Sequence, residues 1–252
     1  MKFRYLFEEK KYFFPGSIEV ERIRTGKPPD RGKGRKKREK PTPEQMRKQN
    51  EYNKRKYMRR LIKANFGEND YWLTLTYLRG KTIALEDAVK DRAKFLKEVR
   101  KEFKKRGYKL KWIGRTERGK RGAAHHHLIL NRIPDADIII SKAWKKVQGA
   151  GRVDFQLLYE KGQFADLASY IIKPDGENEE GMPTSQSNYS RSRNLTIPQP
   201  KVSRTTRKKI LQEPVPTPGY YIDKDSICQG INPITGREYL HYIEIRLKEG
   251  SG

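Results

Sequence analysis

Apolar and polar positions alternate with a period of two over YWLTLTY (71–77), which places Thr74 and Thr76 on one face and Leu73, Leu75 and Tyr77 on the other, as in a β-strand. The period then lengthens. Leu85, Ala88, Phe95, Leu96, Val99 and Phe103 recur at helical spacing over 84–106, with acids in the first turn, bases in the last and Gly107 as the stop. YKLKWIGRTE (108–117) reads as a second strand, RGKRGAA as a turn, and HHHLILN (125–131) as a third strand. Ile139, Ile140, Ala143, Trp144 and Val147 predict a short helix over 136–147, and RVDFQLLY (152–159) a fourth strand. A last helix runs from Gln163 to Lys173, where Pro174 ends it.

The order βαββαβ followed by a helix predicts an α+β, ferredoxin-like (split β-α-β) antiparallel sheet with helices on one face. In that topology the first and third strands are central, so the three histidines lie in the middle of the sheet. The flanks read differently. Residues 1–24 suggest a strand pair, KFRYLF and SIEVERI, around a turn at Pro15-Gly16, followed by a basic Gly/Pro-rich linker to Pro41. Thr42-Pro43-Glu44-Gln45 is a helix start, with Thr as N-cap, Pro at the first helical position and Gln at the third; the helix runs through Phe66 to a stop at Gly67. Beyond 176 the chain is Ser-, Asn- and Pro-rich to about 219 and holds the basic run KVSRTTRKK. GYYIDKD and REYLHYIEIRLK then suggest a closing hairpin, its turn at Asn232-Pro233 and Thr235-Gly236. Three segments are expected: an N-terminal β-ribbon with basic linker (1–41), a central α+β domain (42–175) and a basic C-terminal extension (176–252).

Charge narrows the partner. Lys and Arg number 57 against 31 acids, a net charge of +26 over 252 residues, and such a field draws in polyanions, nucleic acid foremost. Cys228 is the only cysteine, which excludes a disulfide framework or a multi-thiolate zinc site and fits a reducing compartment. MKFRYLFEEKKYFF lacks the apolar core of a signal peptide, and no apolar stretch approaches the ~20 residues of a membrane span, so a soluble cytoplasmic protein is expected.

Three of the four histidines are consecutive. On a strand His125 and His127 project to one face and His126 to the other, and two imidazoles one pleat apart can share a metal ion. If the second and third strands pair through the 118–124 turn, Glu117 lies opposite His125 on the same face and supplies a third ligand. A slip of one residue would bring in His126 instead. Two imidazoles and a carboxylate with open positions suit Mn²⁺ or Mg²⁺ binding a phosphate oxygen. On the last helix Asp166, Tyr170 and Lys173 fall on one stripe at i, i+4 and i+7, a candidate phenol nucleophile with a lysine beside it. Tyr-x-x-Lys recurs at Tyr108 and Tyr221, so helix context distinguishes Tyr170. Arg118, Lys120 and Arg121, in the turn next to the histidines, are candidate DNA-binding residues. Of Trp72, Trp112 and Trp144, spacing places at least two in the core.

Taken in order, WLTLTY, Glu117 with HHHLIL, and SYIIK resemble the three motifs of the HUH endonucleases, in particular the rolling-circle replication initiators of phages, plasmids and integrated elements. The resemblance covers roughly residues 66–175, and SRSRNLTIP (190–198) is similar to the region that follows the nuclease domain in bacterial and phage members. It implies that His125 and His127 are the metal pair, Glu117 the third ligand, Tyr170 the single-tyrosine nucleophile and Lys173 the motif lysine. It also implies nicking and joining of single-stranded DNA at an origin or hairpin through a 5′-phosphotyrosine bond. The family usually has a bulky apolar residue where this chain has His126. Two other readings are a non-catalytic nucleic-acid-binding module and a single-tyrosine transposase or relaxase. No G-x-x-x-x-G-K-[ST] is present, so a host helicase is the expected partner.

Overall fold

In the computed structural model, residues 6–25, 40–119, 122–149, 151–159, 164–172, 189–206 and 211–247 are described. They belong to two units, Asn53–Ile197 and Met1–Tyr52 with Pro198–Gly252. The hairpin predicted at the start is present, but its first strand is displaced. β1 is Phe7–Phe14 and β2 Ser17–Arg24, with Phe14 paired to Ser17 across Pro15-Gly16. A two-residue turn puts its immediate flanks in register, so the charged EEKK segment is in the ladder, while most of the apolar KFRYLF lies outside the described residues. The greater part of the basic linker, 26–39, is also outside them.

The helix start behaves as its residues predict. In α1 (Pro43–Asn65) the Gln45 amide donates to Thr42 Oγ1 (3.2 Å) and the Thr42 amide to Gln45 Oε1 (2.9 Å), a reciprocal capping box. The boundary between the two units falls within this helix.

The unit 53–197 is built on β3 (Tyr71–Thr76), α2 (Leu85–Lys105), β4 (Trp112–Arg118), β5 (Ala124–Leu130), α3 (Ala136–Gln148), β6 (Arg152–Leu157), α4 (Ala165–Ile171) and the short β7 (Ser190–Arg191). Its antiparallel sheet has the order β6-β3-β5-β4-β7, with β3 and β5 inside, as the split β-α-β topology requires. One strand begins later than predicted. Gly107, at φ +81°, turns the chain out of α2, and 108–111 cross to the sheet with Leu110 buried before pairing begins at Trp112. Leu73, Leu75, Leu128 and Leu130 face α2 and α3, where Phe95, Phe103, Ile140 and Trp144 fill the core. The opposite face, carrying Ile113 and Ile129, is covered in addition by α4 and by Met58, Leu61 and Ile62 of α1.

In the other unit β8 (Lys201–Thr205), β9 (Tyr220–Ile231) and β10 (Glu238–Arg246) join the N-terminal hairpin in a sheet of order β8-β1-β2-β10-β9. The closing hairpin is present as β9 and β10, and the basic run contributes β8 as an edge strand paired with β1. Ile18, Val20, Leu240 and Tyr242 form this unit's core. No helix among the described residues is long and apolar enough to cross a membrane.

Candidate active site

Strand pairing alone brings three of the predicted residues together. Across β3, β5 and β4 the register gives two adjacent rows, Thr74–His127–Arg115 and Thr76–His125–Glu117, on the face opposite α2 and α3. Glu117 is therefore directly opposite His125. Its Oε1 lies 3.1 Å from His125 Nε2 and 3.4 Å from His127 Nε2. The other nitrogen of each ring has an oxygen partner, Ala123 O at 3.3 Å for His125 and Thr74 Oγ1 at 3.2 Å for His127. With Nδ1–H donating to those oxygens, both Nε2 lone pairs face Glu117, the arrangement that orients histidines for a metal. The donor atoms of Glu117, His125 and His127 lie within 4.8 Å of one another and can hold a metal ion. This donor set fits a divalent cation that keeps positions open to a phosphate oxygen.

His126 takes the other face. It is fully buried, with Nδ1 2.8 Å from Thr116 Oγ1 and Nε2 3.0 Å from the Tyr77 hydroxyl. Burial, and then the positive charge of Arg92, push its pKa well below the usual histidine value, so it stays neutral. It is a satisfied core polar group outside the Glu117–His125–His127 cluster.

Helix α4 delivers Tyr170 to this cluster. Ala168 and Ile171 are buried against the apolar part of the sheet face, and Phe164, at φ +59°, buries its own ring while turning the chain into the helix. Such a conformation costs a bulky residue on the order of 1–3 kcal/mol and is held here by that packing. The Tyr170 hydroxyl lies 2.6 Å from Glu117 Oε1, to which it donates, and 2.7 Å from His127 Nε2. Trp72 stacks on the His127 ring at 5.2 Å and meets the Tyr170 ring edge-on at 5.6 Å.

The electrostatics follow from these contacts. Burial alone would raise the Glu117 pKa, but the hydrogen bonds from His125, His127 and Tyr170 and the charge of Arg115 outweigh it and hold the carboxyl far below the usual range. The Tyr170 phenol is pushed up, first by burial and then by its bond to the Glu117 carboxylate. A cation that drew off the Glu117 charge would lower the cost of ionising that phenol.

Other predicted residues fall as follows. Arg118 donates to the Gly122 carbonyl at 2.9 Å and so braces the turn after β4. Lys120, Arg121 and Lys173 lie outside the described residues. Trp112 and Trp144 are core residues, whereas Trp72 faces a cavity of about 500 Å³ that also touches His127, Gln156, Phe164 and Tyr170. Of the competing Tyr-x-x-Lys motifs, Tyr108 precedes β4 and Tyr221 lies on β9 of the other unit.

Two contributors are absent from the sequence-derived candidates. Arg115 is 2% exposed; its Nε lies 3.1 Å from Glu117 Oε2, and its Nη1 donates to the Tyr170 carbonyl at 3.2 Å. Strand alternation does carry a signal for it, because residues 115 and 117 share one face. Thr74 sits on the face that alternation predicts, but its bond to His127 depends on the β3–β5 register.

An antiparallel α+β sheet with a His-x-His central strand, an opposed glutamate and a tyrosine hydroxyl at their shared focus defines a divalent-metal site combined with a phenol. Residues 70–175, which carry all of these groups, match the Replication-associated protein ORF2 family, and the match supports a rolling-circle replication initiator family. No curated protein and no solved structure matches the chain.

Proposed function

We propose that this protein nicks and rejoins single-stranded DNA through a covalent bond to Tyr170, with a divalent metal held by Glu117, His125 and His127, and that it thereby initiates rolling-circle replication. The observation that carries the reading is the Tyr170 hydroxyl, 2.6 Å from Glu117 Oε1 and 2.7 Å from His127 Nε2. A phenol at that place is poised to attack a phosphorus whose oxygen is bound at the same cluster. In the nicking step the Tyr170 Oη–P bond forms and the P–O3′ bond breaks. The phenolic proton ends on the released 3′ oxygen, and the 5′ phosphate stays on the enzyme. Because one ester replaces another, a free 3′-hydroxyl can reverse the step and join strands.

The residues divide the work. Glu117 orients the phenol oxygen and, with His125 and His127, would hold Mn²⁺ or Mg²⁺, which when bound supplies Lewis-acid polarisation of the scissile phosphate. Arg115 fixes α4 and Glu117 together. Trp72 and the cavity beside it offer an apolar surface to a nucleotide flanking the cut. Lys173 is assigned to the charge developing on the phosphate, and Arg118, Lys120 and Arg121 to the neighbouring backbone. Unwinding falls to a host helicase, and the reaction belongs in the cytoplasm.

The test is incubation of the full-length protein with Mn²⁺ and single-stranded oligonucleotides from the DNA around its own gene, read on a denaturing gel. A covalent adduct that disappears with a chelator and in Tyr170→Phe is the expected result. An adduct that persists in Tyr170→Phe would remove Tyr170 as the nucleophile. No adduct with any divalent metal, alongside retained DNA binding, would make the protein a binding module.

A further inference from the structure

On the α2 side of the same sheet, at the end of β4 away from Glu117, a cleft of about 670 Å³ opens between the C-terminal half of α2 and residues 191–194. Trp112 at its base and Glu117 are five residues apart on β4, about 17 Å at ~3.3 Å per residue, and they face opposite sides of the sheet. Arg100, Lys104, Lys109, Arg191 and Arg193 line the cleft, and no Asp or Glu does. Hydrogen bonds between Ser192 and Trp112, with Asn194 Nδ2 donating to the Leu110 carbonyl at 3.1 Å, hold the 191–194 wall in place.

The charges here are arranged unlike those on the rest of α2. There Lys90 pairs with Asp87, Lys94 with Asp91, and both Lys105 and Arg106 with Glu102. Arg100 and Lys104 sit one turn apart at i and i+4, where like charges repel, and among the described residues neither has a carboxylate partner. Two further donors are unsatisfied. Trp112 Nε1 and Arg191 Nη1 are both buried with no hydrogen-bond partner among the described residues, and both residues line the cleft. A buried donor without an acceptor costs about 1–3 kcal/mol, so the cleft is built for an acceptor-rich anion. Tyr108, 46% exposed, adds an aromatic face to the same wall.

We propose that this cleft binds the sugar–phosphate backbone of single-stranded DNA, with a base stacked on Tyr108, as a second anchoring site separate from Tyr170. Unneutralised cations combined with an exposed aromatic are the recognition chemistry of an unpaired strand, since phosphates meet the charges while a base finds a π surface. A folded duplex would offer the charges but no free base to Tyr108. The cleft acts independently of the nicking chemistry, whether or not Tyr170 is a nucleophile.

The test uses the full-length protein without added metal and a fluorescent oligothymidine, with anisotropy followed across a salt series. Combining Arg100→Glu with Lys104→Glu should lower affinity on the order of 10-fold at moderate salt and reduce the log–log salt slope by about 0.7 for each phosphate no longer neutralised. Tyr108→Ala should lower it about 5-fold or more. Arg100→Gln with Lys104→Gln provides the same readout without reversed charge, and circular dichroism melting checks folding. Tyr170→Phe should bind as the wild type does, and adduct formation on an oligonucleotide spanning only the cut should be unchanged in the cleft variants. Unchanged affinity and slope in folded cleft variants would overturn the proposal. So would polyglutamate binding that is lost in those variants while oligothymidine binding is kept, because the cleft would then be a protein-docking site. Failure of the nicking reading would look different: no adduct on any oligonucleotide, with the cleft variants still defective in binding.

Discussion

Arg115 joins the two halves of the candidate site, its guanidinium donating to the Tyr170 carbonyl at 3.2 Å while lying 3.1 Å from Glu117 Oε2. The side chain is 2% exposed, so neither interaction can be replaced by water. Arg115→Met should destabilise the protein by about 3–5 kcal/mol in urea unfolding, because the Glu117 carboxylate loses its buried partner. Arg115→Lys keeps the charge but cannot span both acceptors as the planar fork does. We expect it to fold and to form the Tyr170 adduct about 10-fold to 100-fold more slowly, the scale set by a small displacement of a reacting group. A wild-type adduct rate in Arg115→Lys would show that helix and carboxylate are positioned by other means.

Thr74 acts on the metal site through His127. Its hydroxyl lies 3.2 Å from His127 Nδ1, and that bond fixes the ring with Nε2 toward Glu117. Thr74→Val removes the oxygen and changes little in volume. Isothermal titration with Mn²⁺ should show affinity reduced about 10-fold to 100-fold, the usual effect of deleting an outer partner of a metal histidine. Unchanged Mn²⁺ affinity would count against His127 as a ligand held in this tautomer.

Local pattern makes the site legible, and distant pairing hides its supports. The alternation in YWLTLTY, the helical period of α2 and the short turn between β4 and β5 place Glu117 opposite His125 without reference to any other part of the chain. The same logic sends His126 to the far face. Arg115 is readable by alternation with Glu117, yet its value depends on where the Tyr170 carbonyl arrives, which the packing of α4 decides. Edges and partners are harder. Nothing local in Lys201–Thr205 announces a strand; its polar side chains are tolerated because it pairs along one side with β1. Likewise, the pairing of β10 with β2 joins segments more than 200 residues apart, a choice made by complementary faces such as Val20 and Tyr242. At the N-terminus the apolar residues of KFRYLF point to one strand position, whereas the Pro15-Gly16 turn sets another, and the turn wins.

Gly114 marks where the sheet admits no side chain. It lies opposite Leu128 on the core face, and a Cβ there would sit 2.7 Å from the His127 carbonyl oxygen and collide with the Leu128 side chain. The carbonyl belongs to the ladder and cannot withdraw without disturbing His127. Gly114→Ala should therefore lower unfolding stability by about 1–3 kcal/mol, the range for an overpacked core, and weaken Mn²⁺ binding at the same time. A stable variant with intact Mn²⁺ binding would mean that β4 and β5 can separate locally at no cost.

His126 gives the sharpest separation of structure from chemistry, because it is adjacent in sequence to both proposed ligands and bonds only to groups on the other face. His126→Leu deletes the partner of the Tyr77 hydroxyl and of Thr116 Oγ1, and leaving buried polar groups unmatched should cost about 1–3 kcal/mol. Adding Tyr77→Phe and Thr116→Val removes the unmatched groups together, and the triple variant should recover most of that loss, since replacing a whole buried polar set by apolar groups of similar shape is nearly neutral. Throughout the series Mn²⁺ affinity and adduct formation should stay close to wild type. If instead Mn²⁺ binding collapsed in a triple variant of recovered stability, the metal would have to reach through the strand to His126, and the assignment of His125, His127 and Glu117 as the complete ligand set would fall.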